Sequence, residues 1–203
     1  MRNDLISQML QVEFFLFQQV QNRGGRASCQ DDFRTFQIMR GSQFSAWPTD
    51  LCESYWRDLD GALAAGRNLL TEKYARMMET TFPAEYHAIK AFLPPLSPEQ
   101  LVRIDQISAV QYRMAAAVYA AYPLTCSASR PLLPDPKRPH VTSSMTYLRG
   151  ELSTYSLRTL TLYWEYLSQL EANGGNLVKE ILENTVRQYG YVDLDARERA
   201  LRR

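Results

Sequence analysis

The sequence predicts an all-α protein, a helical bundle built from two pseudo-symmetric helix-turn-helix repeats with a proline-rich connecting loop. Apolar residues recur at three- and four-residue steps over most of the chain, which marks one buried face per helix. Glycine and proline interrupt these stretches at helical lengths, and no alternating run signals a β-hairpin. A segment beginning at Arg40 is echoed at Arg149, which is the source of the repeats.

Leu5, Met9, Val12, Leu16 and Val20 line one face of a first helix over 5–21, an amphipathic stretch interrupted by Glu13 and several glutamines. Arg23-Gly24-Gly25-Arg26 ends it, because glycine accepts the left-handed conformation of a helix C-terminus. Ser28 or Asp31 can cap a second helix to about Phe44, which Trp47-Pro48 breaks. Thr49 or Asp50 can cap a third, running to Ala64. Gly66-Arg67-Asn68 separates that from a helix over 69–81, and Phe82-Pro83 opens a short helical turn closed by Leu93-Pro94-Pro95. Ser97-Pro98-Glu99-Gln100 starts a long helix to Tyr122, with proline at the first helical position. The stretch 123–144 is rich in proline and poor in periodicity, and reads as a long loop. Helices resume over about 144–172, stop at Asn173-Gly174-Gly175-Asn176, and a last one covers about 177–189. A charged tail follows from Asp195 to Arg203.

Residues 1–203 suffice for a single helical domain with a substantial core. A net charge of +1 lacks the field expected of a protein that lives on phosphate backbones, and 45% hydrophobic residues exclude a disordered chain. Met1-Arg2-Asn3-Asp4 leads into no apolar run, so neither a signal peptide nor a membrane span is expected. Cys29, Cys52 and Cys126 are widely spaced and odd in number, against a disulfide framework or a cysteine zinc site. The expected compartment is the cytoplasm.

The two repeats, about 40–80 and 149–188, run at a constant offset once Ser42 is skipped. Arg40, Gly41, Ser45, Tyr55, Trp56, Leu59, Gly66, Asn68, Leu69 and Glu72 meet identical residues at Arg149, Gly150, Ser153, Tyr163, Trp164, Leu167, Gly174, Asn176, Leu177 and Glu180. Gln43 faces Glu151 and Trp47 faces Tyr155. Architecture alone can require this: the Tyr-Trp pair buries an aromatic face, the asparagine caps the next helix, and the glutamate sits in its first turn where the dipole favours it. The functional alternative is a pocket where the repeats meet. There Arg40 and Arg149 would form a pair of cations with Gln43 and Glu151 nearby, answered by carboxylates or a ligand because buried charge is costly.

Cys29 follows Arg26 close to a helix N-terminus, the setting that activates a thiol, with Asp32 beside it; the plainer alternative is a small buried cysteine next to capping acids. Glu183 and Arg187 have the spacing of a solvated ion pair, unless Asn184, Arg187 and Tyr191 turn inward to the same polar site. His87 and His140 are isolated, and no metal or cofactor motif is present, so neither a metal nor a cofactor is expected.

GGRASCQDD, F-x-x-M-R-x-S-Q-F-x-A-W, GRNLLTEKYARMME, YLRGELSTYS and ENTVRQYGY together resemble a family catalogued only as "domain of unknown function 4125", found in bacteria and some fungi. The resemblance covers about Glu13 to Tyr191 and is weakest over 123–144. It implies a soluble domain, sometimes joined to helical tandem repeats in larger bacterial chains, and brings no activity or cofactor.

The reading that best unites these residues is a metal-free enzyme or binding protein for a small polar molecule, anionic or amino-acid-derived. Arg40, Gln43, Arg149, Ser153, Asn184, Arg187 and Tyr191 would bind it, and Cys29, Asp32, Glu72, Glu151 and Tyr155 would do chemistry. Condensation or acyl or aminoacyl transfer suits such a set, with Cys29 or Ser153 as nucleophile. The alternative is a non-catalytic module that docks a protein partner on the Phe14-Phe15-Phe17 region or the proline loop. A third reading is contact with RNA or an aminoacyl-tRNA through Lys137, Arg138, Arg197, Arg199, Arg202 and Arg203.

Overall fold

The computed structural model describes residues 2–22 and 24–202, and these are helical, with no strand among them. Met1, Arg23 and Arg203, used in the sequence reading, lie outside the described residues. The helices are α1 (Arg2–Gln18), α2 (Phe33–Ser45), α3 (Thr49–Ala64), α4 (Leu69–Thr81), α5 (Pro83–Ile89), α6 (Pro98–Ala121), α7 (Pro123–Ser127), α8 (Ser144–Leu152), α9 (Leu157–Ala172), α10 (Leu177–Gln188) and α11 (Leu194–Ala200).

Several ends differ from the sequence expectation, each for a local reason. α1 stops at Gln18 before the glycine pair, because the buried Gln30 amide donates to the carbonyls of Phe17 and Val20 at 2.8 and 2.9 Å and takes over its C-terminus. Ser28–Asp31 is a 3-10 turn, so the α2 cap moves to Asp32, whose carboxylate accepts from the Thr35 amide. α3 starts behind Pro48, which takes the cap position without a side-chain bond, and Asp50 in the first turn accepts from the Leu51 amide at 2.8 Å. Ser97 and Gln100 form a capping box at the start of α6. The helices expected over 144–172 are α8 and α9, divided at Ser153–Ser156, where Ser156 caps α9 and its backbone N–H donates to Asp58. The proline-rich stretch opens with α7, and the charged tail folds into α11.

Packing follows from which faces are apolar. α3 and α9 lie against each other, joined by a 2.8 Å hydroxyl bond between Ser54 and Thr159. α1 covers α2, α3 and α4, while α6 covers α8, α9 and α10. α4 packs on α8, and α10 on α2. The core between them holds Leu51, Leu59, Leu160 and Leu167 with a ring cluster of Phe44, Trp47, Tyr55, Tyr155 and Tyr163. Trp47 is 5.2 Å from Tyr163 and 5.9 Å from Tyr55, and Tyr55 is 5.0 Å from Tyr155, centroid to centroid. Asn68 and Asn176 each cap a helix behind a left-handed glycine, Gly66 or Gly174. Each also donates its amide to a carbonyl of the covering helix, Leu16 on α1 or Met114 on α6. At the far end, the buried Glu198 of α11 accepts from the Leu124 and Thr125 amides and the Thr125 hydroxyl, tying α11 to the start of α7.

Candidate functional site

Five elements deliver charged or polar side chains to one buried place. α1 brings Glu13, α2 brings Arg40 and Gln43, α4 brings Lys73, α8 brings Glu151, and Tyr155 follows the end of α8. Arg40 holds Glu13 bidentately at 2.7 and 2.5 Å, the planar geometry that arginine supplies to a carboxylate. Its remaining nitrogen donates to Gln43 at 2.6 Å and to Glu151 at 2.8 Å. The other Glu151 oxygen accepts from Lys73 at 2.6 Å, and the Tyr155 hydroxyl donates to Glu151 at 2.6 Å. Tyr55 donates to Glu13. Two carboxylates and two cations thus neutralise one another at the centre of the fold; Glu13 is 0% exposed and Lys73 2%.

Electrostatics fix the protons. Burial pushes the Glu151 carboxyl up, but Arg40 and Lys73, with hydrogen bonds from Lys73 and Tyr155, hold it well below the ordinary glutamate range. Burial draws Lys73 down, with Glu151 opposing that pull. Burial and the neighbouring carboxylates raise the phenols of Tyr55 and Tyr155 well above their usual value. The array thus combines an ionised Glu151 with the neutral phenols of Tyr55 and Tyr155.

A cavity of about 640 Å³ opens onto this array between α2 and α10 on one side and α4 and α8 on the other. Arg40, Gln43, Lys73 and Gln111 stand at its floor, and Met39, Arg130 and the 128–129 segment at its exposed mouth. Much of the wall between is apolar: Phe17, Phe36, Leu70, Val118, Leu148, Val178, Ile181 and Leu182. On the wall, two cations approach the ring of Tyr147, Lys73 Nζ at 3.6 Å and the Arg130 guanidinium at 5.0 Å from its centroid. Burial and Glu151 push the Tyr147 phenol up to about 12. Arg130 has no carboxylate partner among the described residues, in contrast to Lys73.

The structure brings Arg40, Gln43, Glu151 and Tyr155 together, and distributes the other sequence-derived candidates elsewhere. Arg149 is no partner of Arg40: it stands exposed, paired with Asp105 at 2.7 Å, because α8 turns it to the outside. Ser153 donates to the Arg149 carbonyl beside that pair, in a separate cleft. Glu72 is occupied by Arg67 at 2.7 and 2.8 Å, away from the cavity. Cys29 is exposed at the cavity edge, but Arg26 is taken by Asp31, and Asp32 is an exposed cap. Asn184 and Arg187 line a third cleft; Asn184 donates to the Ser42 carbonyl, and Arg187 pairs with Glu183 at 3.2 Å. Tyr191 accepts from Arg197. In the Phe14-Phe15-Phe17 region, Phe14 packs against Phe33 and Phe36 and Phe17 stacks on Tyr74, while Phe15 stands exposed. Of the basic residues weighed for RNA, Arg138 pairs with Asp135.

Sequence reasoning missed Glu13, Lys73, Gln111, Tyr147 and Arg130. Glu13 did leave a signal, a lone acid inside an apolar helical face. Lys73 left one too: it falls on the buried Leu69, Leu70 and Met77 face of its helix, one position beyond the glutamate that was chosen. No helix among the described residues is long and apolar enough to cross a membrane.

Among curated proteins and among solved structures, no match to the chain is found. A family model described as protein of unknown function (DUF4125) matches residues 3–199, nearly the whole chain, and the protein therefore belongs to the DUF4125 family.

Proposed function

We propose that this protein binds a small anionic molecule in the cavity above the Arg40–Glu151–Lys73 array, with the anion seated where Lys73 and Arg130 share the ring of Tyr147. The observation that carries this reading is the unequal pair of cations on that ring. Lys73 is answered by Glu151, whereas Arg130 has no carboxylate partner among the described residues and stands at the mouth of a cavity of ligand size. An anion placed there completes the charge balance. Hydrogen-bonding capacity at the floor favours the same reading: Arg40 uses four of its N–H groups on Glu13, Gln43 and Glu151, and Lys73 one on Glu151, which leaves each a donor to spare.

The site lies between two halves that we read as a duplicated unit. The packing of α1 with α2, α3 and α4 is mirrored by that of α6 with α8, α9 and α10, and α4 on α8 by α10 on α2. Tyr55 donates to Glu13, and at the corresponding place Gln111 donates to Tyr163. On this reading the cavity sits on the pseudo-axis, where a ligand touches both halves. Binding is favoured over acyl transfer because Ser153 is outside the cavity and Cys29 has lost Arg26 to Asp31.

The test is native mass spectrometry of the freshly purified protein against its denatured mass, with thermal-shift measurements over a panel of small organic anions. A stoichiometric adduct or a saturable shift that disappears in Arg130→Gln supports the proposal. A bare mass with no anion shifting the melting temperature overturns it.

A further inference from the structure

We infer that the anion is one end of an amphipathic molecule, whose apolar body runs from the Tyr147 cations along α10. This rests on the anion-binding reading and specifies its substrate class. The two walls of the cavity correspond position by position. The offset that aligns Leu69 with Leu177 and Glu72 with Glu180 also aligns Leu70 with Val178, Lys73 with Ile181, and Tyr74 with Leu182. All six of these last residues line the cavity. The two walls occupy corresponding places and have opposite chemistry: α4 offers an ammonium and a phenol, and α10 offers two branched aliphatics at the same positions. A polar metabolite such as an amino acid or a dicarboxylate would find partners at the floor but would leave the aliphatic α10 wall unused.

The remaining surfaces agree with this polarity. α6 adds the buried Ala115 and Val118 to this apolar side, and the other lining residues of α6 and α10, Gln111, Tyr119 and Thr185, are polar but uncharged. Met39 is half exposed at the mouth, a flexible apolar side chain that adapts to bodies of different length. The volume of about 640 Å³ accommodates a body of drug-like size and not merely an anion of a few atoms.

The experiment is isothermal titration of the full chain with straight-chain monocarboxylates from butyrate to dodecanoate, the matching primary alcohols, and the polar anions succinate and glutamate. Affinity for the carboxylates is expected to rise about three- to fourfold per added methylene until the cavity is filled. Arg130→Gln is expected to weaken the carboxylates about tenfold or more and leave the alcohols unchanged. Ile181→Thr is expected to weaken the long carboxylates and leave butyrate unchanged, with circular dichroism melting curves checking that both variants fold. If succinate or glutamate binds as tightly as decanoate, the amphipathic ligand is wrong and the anion site stands. If no compound binds saturably, both fall. Chain-length-dependent binding that ignores both variants places the amphipath elsewhere on the protein, and likewise overturns the inference.

Discussion

Lys73 sits 2.6 Å from Glu151 on one side and 3.6 Å from the centre of the Tyr147 ring on the other, so one buried cation is held both by a charge and by a π face. Lys73→Met removes one charge of a buried pair and leaves Glu151 to Arg40 alone. The expected loss is about 3 kcal/mol or more, read by urea unfolding, because an uncompensated buried charge costs more than the pair contributes. The double variant Lys73→Met/Glu151→Gln is expected to be less destabilised than the sum of its two single variants. Simple additivity would show that the two side chains do not depend on each other.

The Glu151 carboxyl gives the acid limb of stability a definite sign. Its folded pKa is depressed below the ordinary 4.5, so its contribution is fully present above that value and is lost as pH falls through the folded one. Stability measured by chemical denaturation from pH 6 downwards should fall more steeply for the wild type than for Glu151→Gln, which has no proton to take up. Parallel slopes would remove Glu151 from the acid response.

Two glycines at equivalent places in α2 and α8 should answer oppositely to alanine. A Cβ on Gly150 would meet Met77 Cγ at 2.6 Å and the Lys73 carbonyl at 2.9 Å, so α8 must move off α4. A Cβ on Gly41 meets only Leu10 Cδ1, at an ordinary 3.7 Å. Gly150→Ala is expected to destabilise by about 1–3 kcal/mol, as overpacking does. Gly41→Ala is expected to be neutral or stabilising by up to about 1 kcal/mol through helix propensity. Thermal melts of the two variants decide it.

Asn68→Ala and Asn176→Ala offer a test of the duplicated unit. Each removes a helix cap and a bond to the covering helix, and each is expected to cost about 1–2 kcal/mol. A large inequality between the two melting-temperature shifts would argue against equivalence of the two turns.

Much of the fold was legible because helical periodicity and its punctuation are local. Ser97 at α6 and Asn68 and Asn176 at α4 and α10 cap the helices that the sequence assigned to them. The division of 144–172 was not legible from punctuation, since no proline stands where Pro48 stands between α2 and α3. At the site, Arg40, Gln43, Glu151 and Tyr155 were found through the repeat. Arg149 was carried along by the same symmetry, although α8 turns it to solvent. Arg130 was beyond reach, because its place on Tyr147 depends on how the proline-rich segment folds back, which no periodicity encodes.

Glu198 gives the C-terminal helix a stake in the cavity. Its carboxylate clasps the amides of Leu124 and Thr125, and α7, which they begin, leads directly into the 128–130 segment at the cavity mouth. α11, α7 and Arg130 are therefore expected to open together, as one unit of local unfolding. A molecule bound at Arg130 should slow amide hydrogen exchange in α11, in residues it never touches, and Glu198→Gln should loosen the mouth from a distance. On the binding proposal, the last helix would report on occupancy.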